Sequence, residues 1–158
     1  MKIGIIGPSK VRDKEKISEV VKIVAKSGNE IVLTPDKDSS SEYFAQEYIK
    51  FGGNKVSVVV PLDDKEFGYG WVNLDLGENI NCGTWRNQPE KLNEETDVLI
   101  CIGYAAGVLA EIAYTKWFNK KSVLIIEELI SGKLPEEIKL DLKYLSIEDL
   151  KGELENEK

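Results

Sequence analysis

The chain is predicted to fold as an α/β protein around a parallel sheet, on two observations. Short apolar runs alternate with amphipathic segments along the 158 residues. The runs are apolar at successive positions, as strands buried on both faces are. Strands of this kind are joined by right-handed crossovers, and the length predicts a single domain.

The first strand, the first helix and the second strand occupy the first 34 residues. Residues 2–7 (KIGIIG) form a short apolar run that ends in Gly-Pro. From 13 to 27 apolar residues recur at intervals of three and four, which predicts an amphipathic helix that Gly28 ends. Residues 30–34 (EIVLT) predict the second strand.

A second helix and a third strand come next. Ser39 and Glu42 form an S-x-x-E capping box, which predicts that a helix begins there and continues to Phe51. Two glycines at 52–53 end the helix. Residues 55–60 (KVSVVV) predict the third strand.

Residues 62–96 show no sustained period and are rich in Gly, Asn and Asp. A stretch of this length is unusual in a compact domain unless it serves a function. A short strand near 71–75 or 79–82 and a helical turn after Arg86 are predicted within it.

Regular elements return in the last third of the chain. Residues 97–102 (DVLICI) predict a fourth strand, 106–118 a helix and 122–126 a further strand. The charged tail over 131–158 is predicted to hold a short strand at 143–145 and a helix opened by Ser146.

The composition excludes several classes of function. The chain has no histidine, which excludes Ser-His-Asp and Cys-His nucleophiles, His-ligated zinc and a histidine proton shuttle. The net charge of −7 argues against nucleic acid or an anionic membrane as a partner. Cys82 and Cys101 lie in unrelated contexts and form no disulfide framework.

Location and working temperature follow from other features of the composition. No secretory signal and no membrane-spanning run is recognised, so a cytoplasmic location is expected. The abundance of Lys, Glu and Ile, against only two Gln, is typical of a thermophile.

Loops at the carboxyl ends of parallel strands are where such sheets bind ligands. After the first strand, Gly7, Pro8, Ser9 and Lys10 lead into a helix, whose backbone N–H groups suit an anion. A tight turn without a ligand is the alternative. The spacing matches neither G-x-G-x-x-G nor a Walker P-loop.

A second loop carries a family resemblance. Arg86 and Asn87 precede the strand DVLICI, and the nine-residue loop GYAAGVLAE at 103–111 follows it. This arrangement over 81–128 resembles the lysine-decarboxylase-like (LOG) superfamily, which has an Arg-Asn or Arg-Lys pair, a strand and a P-G-G-x-G-T-x-x-E loop.

The resemblance extends over most of residues 1–127. Gly107 and Glu111 stand at the last glycine and the glutamate of the loop motif. The segments at 51–61 and 70–75, with the opening KIGIIGPS, resemble the molybdenum-cofactor carrier-like branch of the superfamily. The resemblance implies one Rossmann-like, nucleotide-binding-type domain over 1–158, a three-layer sandwich with a mostly parallel sheet of about five to seven strands.

The superfamily also implies roles for individual residues. In its nucleoside-monophosphate phosphoribohydrolases the motif arginine and glutamate are implicated in breaking the ribose–base bond, so Arg86 and Glu111 are the candidate catalytic pair. A structural ion pair between them is the alternative. The residues predicted to contact a ligand are Gly7, Pro8, Ser9, Arg86, Asn87, Gly103, Tyr104, Ala105, Ala106, Gly107, Val108 and Glu111.

The chain also departs from the superfamily pattern. Gly103, Tyr104 and Ala105 stand where the motif has Pro-Gly-Gly, and Val108 replaces its threonine. A tyrosine in that loop is expected to obstruct the approach of backbone amides to a phosphate. The loop after the second strand, TPDKD at 34–38, lacks the superfamily's glycines. Efficient catalysis by the superfamily mechanism is therefore not expected.

Aromatic and acidic side chains in the loops can be interpreted either as ligand-binding groups or as structural ones. Tyr69, Trp71, Trp85 and Tyr104 are candidates for stacking on a purine, or for fixing the long loop to the core. The acids at 36, 38, 63 and 64 are interpreted as solvated loop tips, and no metal site is predicted.

Three functions stay open. The leading hypothesis is a carrier or sensor that binds a nucleotide or another phosphorylated, for example pterin-like, ligand, and needs no cofactor beyond that nucleotide or phosphate. The alternatives are a phosphoribohydrolase acting on nucleoside 5′-monophosphates, and a scaffold for protein contacts in which Tyr104 fills the phosphate position. Whether the chain is an enzyme is left undecided. A homo-oligomer, a dimer or larger, is expected, with Trp117 and Phe118 as contact residues.

Overall fold

The computed structural model describes residues 1–66, 70–119 and 121–157. The strands and α-helices within these residues are β1 (Lys2–Ile6), α1 (Lys14–Lys26), β2 (Glu30–Leu33), α2 (Ser40–Lys50), β3 (Val56–Val60), β4 (Glu78–Asn81), α3 (Gln88–Glu94), β5 (Val98–Cys101), α4 (Ala106–Tyr114), β6 (Val123–Ile126), β7 (Leu142–Leu145) and α5 (Leu150–Asn156). None of the described helices is both long and apolar enough to cross a membrane.

One sheet contains all of these strands, in the order β4-β3-β2-β1-β5-β6-β7, and each neighbouring pair is parallel. The predicted α/β class is confirmed, with a sheet that is wholly rather than mostly parallel. The chain moves outward from β1 to β4 and then returns to the other side of β1 with β5. The strand order therefore reverses between β1 and β5, which is where sheets of this kind bind ligands.

Two apolar cores lie on opposite faces of the sheet, because side chains alternate along each strand. Ile3 and Ile5 of β1 face the core that α1, α2 and α5 cover. Ile6 of the same strand faces the core under α3 and α4. The predicted three-layer arrangement of helices, sheet and helices follows from this alternation.

Two predicted helices have different limits. The helix predicted over 106–118 is α-helical only as far as Tyr114, and a 3-10 turn continues it. The helix predicted to open at Ser146 begins at Leu150 instead. The Ser146 hydroxyl donates to the Asp149 carboxylate at 2.6 Å and forms a turn before the helix.

The long segment after β3 contains more regular structure than predicted. Of the two positions considered for a strand, β4 corresponds to the one near 79–82. The helical turn predicted after Arg86 is a 3-10 turn at Trp85–Asn87 that runs directly into α3. Near 71–75 there is no strand, but Val72 forms an isolated antiparallel bridge with Asp36.

The predicted capping box at the start of α2 has an altered second half. The Ser39 hydroxyl accepts a hydrogen bond from the Glu42 N–H at 3.1 Å, as expected. The Glu42 carboxylate accepts from the backbone N–H of Asp38 at 3.1 Å, one residue earlier than in the usual box. Its other oxygen accepts from the Asn73 amide at 3.1 Å, which ties the start of α2 to the long loop.

A buried lysine completes the end of α3. The ammonium group of Lys121, which is 8% exposed, donates to the backbone carbonyls of Asn93 and Thr96 and to the Thr96 hydroxyl. Burial lowers the pKa of Lys121 to about 8, and the negative charge of Asp97 opposes part of that shift. Lys121 therefore satisfies carbonyls that the end of a helix leaves without intrahelical partners.

We expect Lys121→Met to destabilise the fold by about 1–3 kcal/mol, because it leaves buried carbonyl oxygens without a donor. Urea denaturation of the variant and the parent measures the change. Lys116→Met, on the exposed surface nearby, is the matched control and is expected to change stability by less than about 0.5 kcal/mol. Equal stabilities of the two variants would contradict this role for Lys121.

Candidate functional site

A crevice of about 580 Å³ lies at the carboxyl ends of β1, β2, β3 and β5, at the point where the strand order reverses. Its lining residues are Gly7, Ser9, Thr34, Pro35, Asp36, Val59, Pro61, Trp71, Val72, Trp85, Gln88, Ala105, Ala106, Gly107, Val108 and Glu111. Both the loop after β1 and the loop after β5 contribute, as the strand order requires.

Two tryptophans form part of the wall of the crevice. Trp71 and Trp85 are 40% and 45% exposed, and both line the space. The bridge between the loops holds Trp71, because its carbonyl accepts from the Lys37 N–H at 2.9 Å. The buried Asp64 carboxylate accepts from the Trp85 N–H at 3.4 Å. Of the other stacking candidates, Tyr104 does not line the crevice and Tyr69 lies outside the described residues.

Glu111 and Gln88 form a hydrogen-bonded pair in the crevice lining. Glu111 is 7% exposed, and the Gln88 side-chain amide donates to its carboxyl group at 2.9 Å. The Asn93 side-chain amide donates to the Glu111 and Pro89 carbonyls, both at 2.9 Å, and so fixes α3 against α4.

The crevice contains two acids with raised pKa values. Burial raises the pKa of Glu111 to about 8, although the hydrogen bond from Gln88 opposes the shift, and the nearby charge of Asp36 adds to it. Burial also raises the pKa of Asp36. At neutral pH Glu111 is therefore mainly a neutral carboxylic acid, able to donate as well as accept a hydrogen bond.

The amino end of α4 is open toward the crevice. Ala105 stands at the N-cap position and its side chain forms no capping hydrogen bond. Ala106, Gly107 and Val108, which begin the helix, line the crevice. A β-carbon added at Gly107 would meet no atom within 4 Å. Backbone N–H groups at such a helix start can receive an anion.

The amino end of α1 does not match the sequence-based expectation for an anion site. The helix begins at Lys14, and the Asp13 side chain caps it by accepting from the Lys16 N–H at 3.1 Å. The carboxylate of Asp13 thus occupies the helix start at which an external anion was predicted to bind. Gly7 and Ser9 nevertheless line the crevice through the preceding loop.

Other predicted contact residues lie away from the crevice lining. Gly103 has a φ of 141°, and a β-carbon there would come within 2.9 Å of the Pro8 ring, so these two residues pack against each other. Asn87 accepts a hydrogen bond from the Thr84 hydroxyl at 2.9 Å. Tyr104 packs against the core under α3 and α4 together with Tyr144, so its ring does not fill the crevice.

Arg86 and Glu111, interpreted from the sequence as a catalytic pair or else as an ion pair, have different side-chain partners in the structure. The Arg86 guanidinium is exposed and lies 5.9 Å from the centroid of the Trp85 ring. Gln88, two residues further along, occupies the place beside Glu111. The sequence analysis assigned no role to Gln88. The feature that could have pointed to Gln88 is its position in the first turn of the helix that follows Arg86.

No group of three or more His, Cys, Asp or Glu side chains in the described ranges is arranged to hold a metal ion. Burial raises the pKa of both cysteine thiols, that of Cys101 to about 12. Both thiols are therefore protonated and unreactive at neutral pH.

The fold and crevice define a Rossmann-like protein with an open crevice at the switch point of its sheet. No family model matches the chain, and no curated protein sequence does. Solved structures do match. The molybdenum cofactor binding protein from Rippkaea orientalis superposes with a TM-score of 0.78 at 17% identity, over 98% of this chain and 95% of that one.

A molybdenum cofactor carrier protein from Chlamydomonas reinhardtii gives a similar result. Its TM-score is 0.77 at 15% identity, over 99% of this chain and 96% of that one. At these identities the likeness establishes a shared fold, which confirms the fold that the sequence resemblance implied.

We expect the contribution of Glu111 to the stability of the protein to fall as the pH rises from 5 to 8, because Glu111 holds a proton in the folded state that it loses in the unfolded state. Glu111→Gln removes that proton exchange. The free energy of unfolding of the variant relative to the parent is therefore expected to rise by on the order of 3 kcal/mol over this interval.

Urea denaturation at pH 5 and pH 8 measures this difference, and taking variant against parent cancels the contributions of other titrating groups. Glu90→Gln, at an exposed position of α3, is the matched control for the loss of a carboxyl group, and the change between pH 5 and pH 8 is expected to be larger for Glu111→Gln than for this control. Equal changes for the two variants would contradict a neutral Glu111 in the folded protein.

Proposed function

We propose that the chain binds a flat, anionic heterocycle in the crevice at the carboxyl ends of the strands and carries it unchanged. The observation that supports this most directly is the combination of two half-exposed tryptophans with a partly buried Gln88–Glu111 pair in one crevice. Indole faces favour flat rings. A crevice with apolar walls and a few fixed polar groups is the usual form of a small-molecule site.

The anionic part of the ligand is assigned to the start of α4. The uncapped N–H groups there carry the positive end of the helix dipole. The neutral form of Glu111 removes one negative charge from the crevice, which lowers the repulsion that an anion would meet. The Arg86 guanidinium beside Trp85 adds a positive charge outside the lining residues.

The neighbours of known fold are named for the molybdenum cofactor, which is a phosphorylated pterin, and we propose a ligand of that kind here. The two indoles of the crevice fit the flat ring of such a ligand, and the amino end of α4 fits its phosphate. This proposal replaces the expectation that no cofactor is needed beyond a bound nucleotide or phosphate, since the cofactor would be the protein's cargo.

A phosphoribohydrolase is the second candidate, and Glu111 is the observation that favours it. A carboxylic acid with a raised pKa is the form that can protonate a departing base. The position of Arg86 outside the crevice lining counts against the superfamily mechanism. Release of free hypoxanthine from inosine 5′-monophosphate would support hydrolysis, and recovery of the intact nucleotide supports the carrier.

We expect Trp85→Leu to weaken binding of inosine 5′-monophosphate and of a pterin monophosphate by about tenfold, because each loses a stacking face. Isothermal titration calorimetry measures both affinities. Trp117→Leu removes a tryptophan that is 67% exposed outside the crevice lining, and it is expected to leave them unchanged. Equal effects of the two substitutions, or no binding by the parent, would refute the proposed site.

We expect Gly107→Leu to reduce the affinity for inosine 5′-monophosphate at least tenfold more than that for inosine, because the side chain covers the proposed phosphate position. A β-carbon at this position meets no atom within 4 Å outside its own helix backbone, so there is open space where the new side chain begins. Gly152→Leu is the matched control, since that glycine also has open space around it and lies in α5. Equal losses for inosine and its monophosphate would place the phosphate elsewhere.

A further inference from the structure

The carboxylate of Asp36 lies in the crevice without a partner. Asp36, interpreted from the sequence as part of a solvated loop tip, is only partly exposed and lines the crevice after the end of β2. Within the described part of the chain, its carboxylate oxygens take part in no hydrogen bond and no ion pair. A carboxylate that is withdrawn from water and unpaired costs free energy, and a ligand with hydrogen-bond donors would offset that cost.

The isolated bridge to the long loop fixes the position of Asp36. Asp36 pairs with Val72, and the residues on either side of the two are joined by backbone hydrogen bonds of 2.9 and 2.8 Å. In this pattern the paired residues exchange no hydrogen bond themselves, and their side chains lie close together on one side of the bridge. Val72 is 3% exposed. The Asp36 side chain therefore lies on the inner side of the bridge, beside an apolar neighbour.

The strand order places Asp36 at the ring end of the proposed ligand. The amino end of α4, which is assigned to the anion, follows β5, whereas Asp36 follows β2. β1 lies between these strands, and two strand spacings separate the positions by about 10 Å. Trp71 directly precedes Val72 in the bridge and so belongs to the Asp36 side of the crevice. A ring stacked on Trp71, with its phosphate at α4, would present an edge to Asp36.

We propose that Asp36 selects heterocycles that carry a ring N–H beside an exocyclic amino group, the donor edge that guanine and the common pterins share. This inference rests on the proposed function and names the ligand class for the same site. The two carboxylate oxygens of Asp36 accept the two parallel N–H groups, in the geometry by which a carboxylate receives the fork of an arginine. Both oxygens are acceptors, so rotation of the carboxylate leaves this pattern unchanged.

Other purines present fewer donors to Asp36. Hypoxanthine has the ring N–H but lacks the amino group beside it, so one carboxylate oxygen is left without a partner. Adenine has an unprotonated ring nitrogen at the same edge, so two acceptors meet. A site built to pair with a particular donor rejects the analogue that lacks it, because its own polar group is then left desolvated and unpaired.

Guanosine and inosine 5′-monophosphates test this inference, because they differ only in the exocyclic amino group. Isothermal titration calorimetry of the full chain at pH 7.5 is expected to give at least tenfold tighter binding of the guanosine nucleotide. In Asp36→Asn one acceptor becomes a donor, and the ratio is expected to fall below about threefold. Asp38→Asn removes the same charge from an exposed position of the same loop, and this matched control is expected to keep the full ratio.

The ribose supplies the other pair of adjacent donors that a nucleotide could offer to Asp36, and 2′-deoxyguanosine 5′-monophosphate tests for it. This nucleotide is expected to bind the parent within about threefold of guanosine 5′-monophosphate. A larger loss of affinity on removal of the 2′-hydroxyl, absent in Asp36→Asn, would overturn the assignment of Asp36 to the ring.

The parent protein alone separates this inference from the proposed function, whether or not any variant folds. Binding of the guanosine and inosine nucleotides within threefold of each other would overturn the selection by Asp36 and leave the carrier proposal standing. Binding of neither nucleotide would overturn both.

Discussion

The reversal of strand order at β1 is the constraint on which the rest of the molecule depends. Because β2 and β5 pair with opposite edges of β1, the loops that follow β1 and β5 leave the sheet in different directions. The space between them cannot be filled by a crossover helix, and it becomes the crevice. The tryptophans are then brought to this space by the segments after β3 and β4.

The chemistry of the crevice follows from burial more than from residue type. Glu111 belongs to a helix whose start lies at the crevice and whose next residue, Ile112, belongs to the core. A carboxyl group in that position is deprived of water, and its neutral form is favoured. Among the described residues, the carboxyl group of Glu111 accepts one hydrogen bond, from the neutral amide of Gln88. This amide orients the carboxyl group without supplying the positive charge that an arginine would supply.

Much of the fold could be predicted because parallel strands that are buried on both faces consist of apolar runs in the sequence. β4 was located only as one of two alternatives, since this edge strand (ENIN) is largely exposed and has no apolar run. α3 has seven residues, too few for a periodic pattern. In the site, the loops and Glu111 were found from position and motif, whereas Gln88 was missed because its partner is 23 residues away in the chain.

The altered glycine loop argues for retention of a ligand over its cleavage. Gly103 is still required as a glycine, but its φ of 141° and its contact with Pro8 serve the packing of two loops. Tyr104 turns into the core and leaves the crevice open. With Arg86 outside the crevice lining and Gln88 beside Glu111, the cation expected for an oxocarbenium-like reaction is separated from the acid. Among the described residues that line the crevice there is no lysine or arginine to stabilise the charge that develops when a bond breaks, and this supports the proposal of a carrier.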